Sequence, residues 1–211
     1  MTVNPHAQQL TQGSAQEPHH YEEQGIDRGD VRLHGRYFTL RTAAGLVAGT
    51  NFNVMFAIER PVKDVWRSFK DFNLWQENHV YSGVLGDLEG KTFSLSLKNY
   101  PNVRLDYEVM RVIPEYLIVL HQPLPEGAVQ GLPGLGGVSP GFHVFMLSEH
   151  GGKTIVTGLM NHASLMEKAS AARGMSDEDA IHPWRESLKE GLRKWQDDFI
   201  PALKKLVEAA R

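Results

Sequence analysis

The chain has 211 residues, a formal net charge of −3 and no cysteine. That size fits one domain with room for an extra arm. The charge leaves no basic footprint for nucleic acid or an anionic membrane, and without cysteine there are no disulfides, thiolate metal sites or cysteine nucleophiles. No apolar run approaches the roughly 18 residues of a membrane span, and the first residues lack the basic and apolar blocks of a secretory signal. The expected setting is the cytoplasm, with no nucleic acid as partner and no membrane insertion.

Residues 1–30 are polar, rich in Gln and His, and show no hydrophobic period. They are predicted to form an arm, either mobile or packed on a neighbouring subunit of a homodimer. Residues 31–211 are predicted to form a single domain. Val31–Thr50 mixes apolar stretches with Gly35, Gly45 and Gly49 and reads as one or two short extended pieces. In Asn51–Arg60 the period is clear: Phe52, Val54, Phe56 and Ile58 share one face of a strand. Pro61 stops that strand and opens a short helix, since its missing N–H costs nothing at a first helical position. Val62, Val65, Trp66 and Phe69 follow at helical spacing, and a second short turn carries Phe72 and Trp75. Both helices are too short to stand alone, so their aromatic face must pack on something larger.

Alternation then returns. Phe93, Leu95 and Leu97 read as one strand and Val103, Leu105, Tyr107 and Val109 as the next. Tyr116–Gln122 is a denser apolar run, suited to mid-sheet. Residues 123–141, dense in proline and glycine, are predicted to be a long loop and a candidate lid. Phe142–Ser148 and Thr154–Asn161 form a hairpin pair about His150–Gly151–Gly152. Ser164–Arg173 reads as a short helix closed by Gly174. From Pro183 onward Leu188, Leu192, Trp195, Phe199, Leu203 and Leu206 recur every three or four residues. This is a long amphipathic helix. Pro201 lies inside it, where a proline costs about 3 kcal/mol in a straight helix, so a bend is expected there.

The stretch IERPVKDVWRSFKDFNLW, the hairpin HGGKTIVTGLMNH and the closing helix WRESLKEGLRKWQDDFIPALKKLVEAA resemble the START/Bet v 1-like (SRPBCC) superfamily, over residues 50–210. The resemblance implies an α+β helix-grip fold: a curved antiparallel sheet of about seven strands around a long C-terminal helix, with two short helices after the first strand. It also implies an elongated, mostly apolar cavity. Members include polyketide cyclases and aromatases, lipid and hormone carriers and Rieske oxygenase catalytic domains, so the fold does not fix the function.

No nucleophile elbow, P-loop, zincin motif or dinucleotide fingerprint is present. None of the ten histidines pairs at the helical spacing of a chelating site, so neither a metal nor any other cofactor is expected. More informative are polar residues on apolar strand faces. His121 shares a face with Leu117 and Val119, His143 with Phe145 and Leu147, Asn161 with Ile155 and Leu159, and Tyr107 with Leu105 and Val109. If those faces line the cavity, His121, His143, Tyr107 and Asn161 are the candidate catalytic groups. Asp106 and Glu108, on the alternate parity, are expected at the outer surface. Phe93, Leu95, Leu105, Phe145, Trp184, Leu188, Trp195 and Phe199 are the expected ligand-facing wall. The function expected is a small-molecule enzyme without redox cofactor, of cyclase, aromatase, dehydratase or lyase type, acting on a hydrophobic aromatic or polycyclic compound. The alternatives are a non-catalytic carrier or sensor of such a ligand and a protein-interaction module.

Overall fold

A computed structural model describes residues 20–43, 45–71, 81–97, 100–123, 140–165 and 177–209. Among these residues nine strands form a single antiparallel sheet: β1 His20–Arg28, β2 Val31–Thr42, β3 Gly45–Ile58, β4 Tyr81–Leu85, β5 Thr92–Leu97, β6 Tyr100–Ile113, β7 Leu117–Gln122, β8 Gly141–His150 and β9 Lys153–Leu165. Their order is β1-β2-β3-β9-β8-β7-β6-β5-β4. The chain thus lays down a three-stranded meander, crosses to the far edge, and returns strand by strand until β9 docks on β3. Helix α1, Val62–Lys70, lies on the crossover. The C-terminal helix runs as α2, Asp177–Lys194, a π-helical turn, Trp195–Phe199, and α3, Ile200–Ala209.

The sheet has two more strands than expected, both N-terminal to the predicted first strand. His20–Arg28, read as part of the polar arm, is the edge strand β1 and pairs along its whole length with β2. In β2 the buried Leu33, Tyr37 and Thr39 alternate with residues of the other face. Gly35 breaks that apolar pattern, which made one twelve-residue strand read as short pieces. A Cβ on Gly35 would come within 2.3 Å of Leu188 Cδ1, so its absence lets α2 sit directly on the strand. Of the two predicted short helices, α1 is described, whereas the turn around Phe72 and Trp75 lies outside the described residues. So do residues 124–139 of the candidate lid 123–141, whose last residue instead opens β8, and most of the predicted helix 164–173, whose first two residues instead end β9.

The hairpin between β8 and β9 turns on Gly151 and Gly152, at φ +59° and +77°, the left-handed pair that a two-residue loop between twisted strands requires. Glu149 accepts a 2.9 Å hydrogen bond from the Val62 N–H and so caps α1 from the hairpin. Helix α1 buries Val65, Trp66 and Phe69 between β8, β9 and α3. The long helix contributes Leu188, Leu192, Ile200, Leu203, Leu206 and Val207 to the same core. It is already helical at Asp177, before the predicted start at Pro183. The irregularity expected at Pro201 falls in the preceding turn. The Ile200 N–H bonds the Trp195 carbonyl, a five-residue reach that loosens the helix where proline cannot donate.

Candidate functional site

The sheet's inner face, covered by the helices, is apolar through β3, where Phe52, Val54, Phe56 and Ile58 are buried, and becomes polar toward one end of β6–β9. Tyr107 on β6 is buried and stacks on Phe93 of the paired strand, ring centroids 5.0 Å apart and 16° from parallel. The His143 ring, on β8, packs on Tyr107 with centroids 5.3 Å apart and the planes 65° from parallel. The same imidazole meets His162 of β9, with Nε2 3.0 Å from Nε2. One of the two nitrogens must carry the hydrogen and the other accept it. His162 faces Gly141 across the β8–β9 ladder. A Cβ there would lie 2.6 Å from the His162 Nδ1, so Gly141 makes room for the imidazole.

Aromatic rings continue the line. Phe145 lies beside His143 and packs at 5.3 Å on Phe69 of α1 and at 6.0 Å on Trp195 of the π-helical turn. Trp195 stacks on Phe199 at 5.0 Å. Among these inner-face groups His143, His162, Leu105, Val109, Trp195 and Phe199 are half-buried, while Phe93, Leu95, Tyr107, Leu120 and Gln122 are buried.

Protein atoms surround His143 closely enough that burial, aided by charge repulsion from His162, holds its pKa well below 6.5. The ring is therefore neutral at neutral pH. Burial pushes the Tyr107 phenol far above its ordinary value, so it keeps its proton and can only donate to a developing oxyanion. A neutral imidazole beside a protonated phenol can move one proton and stabilise the charge left behind.

Two of the four candidate catalytic residues, Tyr107 and His143, meet here, and two do not. His121 lies on the outer face, where its Nδ1 is 2.8 Å from Glu108 Oε2 and its ring stacks on the half-exposed Phe142. Asn161 is also exposed on that face and hydrogen-bonds Asn51 of β3. The physical reason is common to both. On β7 and β9 the two parities are both apolar, and pairing puts Ile118, Leu120 and Gln122, and Val156, Gly158 and Met160, inward. Asp106 and Glu108 lie outside as expected. Asp106 is held below its usual carboxylate range chiefly by the Ser94 hydroxyl, with Arg104 adding to it. Of the expected wall, Phe93, Leu95, Leu105, Phe145, Trp195 and Phe199 line the inner face, and Leu188 is core packed on Gly35. The side chain of Trp184 lies outside what is described.

The sequence reading missed His162 and Gln122. Gln122 is buried on the inner face, two residues from Leu120, and His162 continues the inward parity of Met160 one residue past the predicted strand end. Among the described residues no group of three His, Asp or Glu is disposed to hold a metal ion, and no helix is long and apolar enough to cross a membrane.

No protein-family model and no curated protein matches the chain. Solved structures do match, at low identity. The di-domain ARO/CYC StfQ from the steffimycin biosynthetic pathway superposes with a TM-score of 0.53 at 10% identity, over 90% of this chain and 84% of that one. The Staphylococcus aureus protein SA2116, of unknown function, gives 0.52 at 10% identity over 76% and 95%. The Mesorhizobium loti protein MLL2253 gives 0.50 at 17% identity over 75% and 98%. These likenesses concern the fold. With the long helix laid across an antiparallel sheet, they define the class: an α+β protein of helix-grip type.

Proposed function

We propose that the protein is a small-molecule enzyme without redox cofactor, of the START/Bet v 1-like kind, acting on an aromatic or polycyclic hydrophobic substrate by a cyclase, aromatase, dehydratase or lyase reaction. The contact between the His143 and His162 imidazoles beside buried Tyr107 carries this reading. In this reading the substrate sits against their half-buried surfaces and those of Leu105, Val109, Trp195 and Phe199. The structural likeness to StfQ, an ARO/CYC, supports the same chemistry. In the proposed step an imidazole nitrogen of the pair that carries no hydrogen takes a proton from carbon next to a ketone, and Tyr107 donates a hydrogen bond to the enolate oxygen. The imidazolium then returns the proton to carbon or to a departing hydroxyl, which leaves as water. No electron acceptor is needed, because the proton taken is the proton given.

Deuterium exchange at the α-carbons of 2-tetralone, followed by NMR in D2O, tests this. The expected result is exchange above the buffer rate, reduced by about 10²-fold or more, the usual scale of general acid–base catalysis, in His143→Gln and His162→Gln. Binding of 2-tetralone with no enhanced exchange would replace the enzyme by the second reading, a carrier. The predominantly aromatic wall of Trp195, Phe199 and Phe145 favours that alternative.

A further inference from the structure

The C-terminal helix is held tightly at two places and loosely between them. In α2, Leu188 sits over Gly35 of β2, and Gly191 lies against the Phe52 ring of β3. Leu188 and Leu192 are buried there. In α3, Ile200, Leu203, Leu206 and Val207 are buried, and the helix packs on α1. The π-helical turn between them, Trp195–Phe199, has no buried residue. Its hydrogen-bond ladder is irregular as well. The Ile200 N–H reaches the Trp195 carbonyl five residues back, and Pro201 has no N–H to offer the Asp197 carbonyl. Wide turns of this kind inside an α-helix recur at functional sites.

This turn carries the two rings through which the helix meets the candidate site. Trp195 and Phe199 stack at 5.0 Å, and Trp195 packs on Phe145 at 6.0 Å. The Phe145 ring centroid lies 6.4 Å from that of His143. On the far side of the turn Asp197 and Asp198 are exposed, so the backbone there can shift into water without unpacking the core.

We propose that the π-helical turn is a hinge: Trp195 and Phe199 move together off Phe145 to admit a ligand to the His143–His162 pair, while α2 and α3 keep their seats. The proposal rests on the reading of that pair as a ligand site and names how the site is opened. Segments that open for ligands are drawn from the least stable parts of a structure, those with few buried contacts and weak backbone bonding. The turn meets both conditions, and the helix on either side of it meets neither. Lifting the whole helix would instead expose Leu188, Leu192, Ile200, Leu203, Leu206 and Val207 at once, which makes a local movement the cheaper route.

The test uses the full chain with 2-tetralone as the probe, amide hydrogen exchange read by mass spectrometry and association read by stopped-flow tryptophan fluorescence. Amides of residues 196–200 should exchange at least about tenfold faster than those of 188–192, and saturating 2-tetralone should slow them. Pro201→Ala supplies the missing N–H and favours a regular α-helical turn. It should slow exchange in the turn and slow association of 2-tetralone by about tenfold. Turn amides that exchange as slowly as those of 188–192, that ignore saturating ligand, or an association rate unchanged in Pro201→Ala would each overturn the hinge, while the binding itself left the ligand site standing. Absence of any binding would remove the ligand site, and the hinge with it.

Discussion

At the residue scale the decisive feature is a histidine that cannot easily charge. His143 is held well below 6.5 by burial and by His162, so in the fall of pH through 6.5 the unfolded chain takes up a proton before the folded one does. The unfolded state then binds more protons, and stability must drop as pH falls from 6.5 toward the depressed folded value. The penalty is absent above 6.5. Urea unfolding on either side of that value should show lower stability on the acid side, and His143→Gln should shrink the difference; an unchanged difference would place its origin elsewhere. His143 and Tyr107 were legible in the sequence because their partners in parity, Phe145 with Leu147 and Leu105 with Val109, include the inner face. His121 and Asn161 were not, because Tyr116–Gln122 and Thr154–Asn161 are apolar on both parities. Only the pairing, including the irregularity between Val109 and Arg111, decides which parity turns inward.

At the element scale the contact between the helix and the sheet depends on side chains that are missing. Gly191 lies in α2, where alanine would ordinarily add about 1 kcal/mol of helix propensity. Here a Cβ would stand 2.6 Å from the Phe52 ring, which is buried and cannot swing clear. Overpacking of a core typically costs about 1–3 kcal/mol, so the steric loss should equal or exceed the propensity gain. Gly191→Ala is expected to lower stability in denaturant unfolding, and Phe52→Leu in that background should recover part of the loss, a positive coupling in a double-mutant cycle. A stabilised single variant would show that the helix can move off the sheet. Sequence pattern found the helix because its stripe is long and one-sided. It did not find β1, because HYEEQGIDR carries only Tyr21 and Ile26 as large apolar residues. A strand with a neighbour on one side alone can fold by its backbone pairing with little apolar signature.

At the scale of the whole molecule, the two halves of the sheet are made far apart in the chain and meet only where β3 pairs with β9, Val47 opposite Leu165 through Ile58 opposite Thr154. That seam is long-range by construction, so its loop-closure cost must be offset by packing elsewhere. The last helix supplies much of that packing. Ile200, Leu203, Leu206 and Val207 are all buried, and α3 packs on α1, which in turn rests on β8 and β9 and holds Phe69 against Phe145. Four such side chains, at about 1.5–3 kcal/mol each, amount to roughly 6–12 kcal/mol, comparable to the whole stability of about 5–15 kcal/mol expected of a domain. The exposed pair Lys204–Asp30, 3.0 Å apart, adds at most about 1 kcal/mol, so the apolar burial decides the outcome. A chain ending at Phe199 should therefore lose cooperative unfolding by calorimetry and bind a hydrophobic dye, whereas Lys204→Ala in the full chain should unfold cooperatively with nearly unchanged stability. If the shortened chain still melted in one sharp transition, the seam between β3 and β9 would be stable without the helix, and the sheet rather than the grip would be the folding unit.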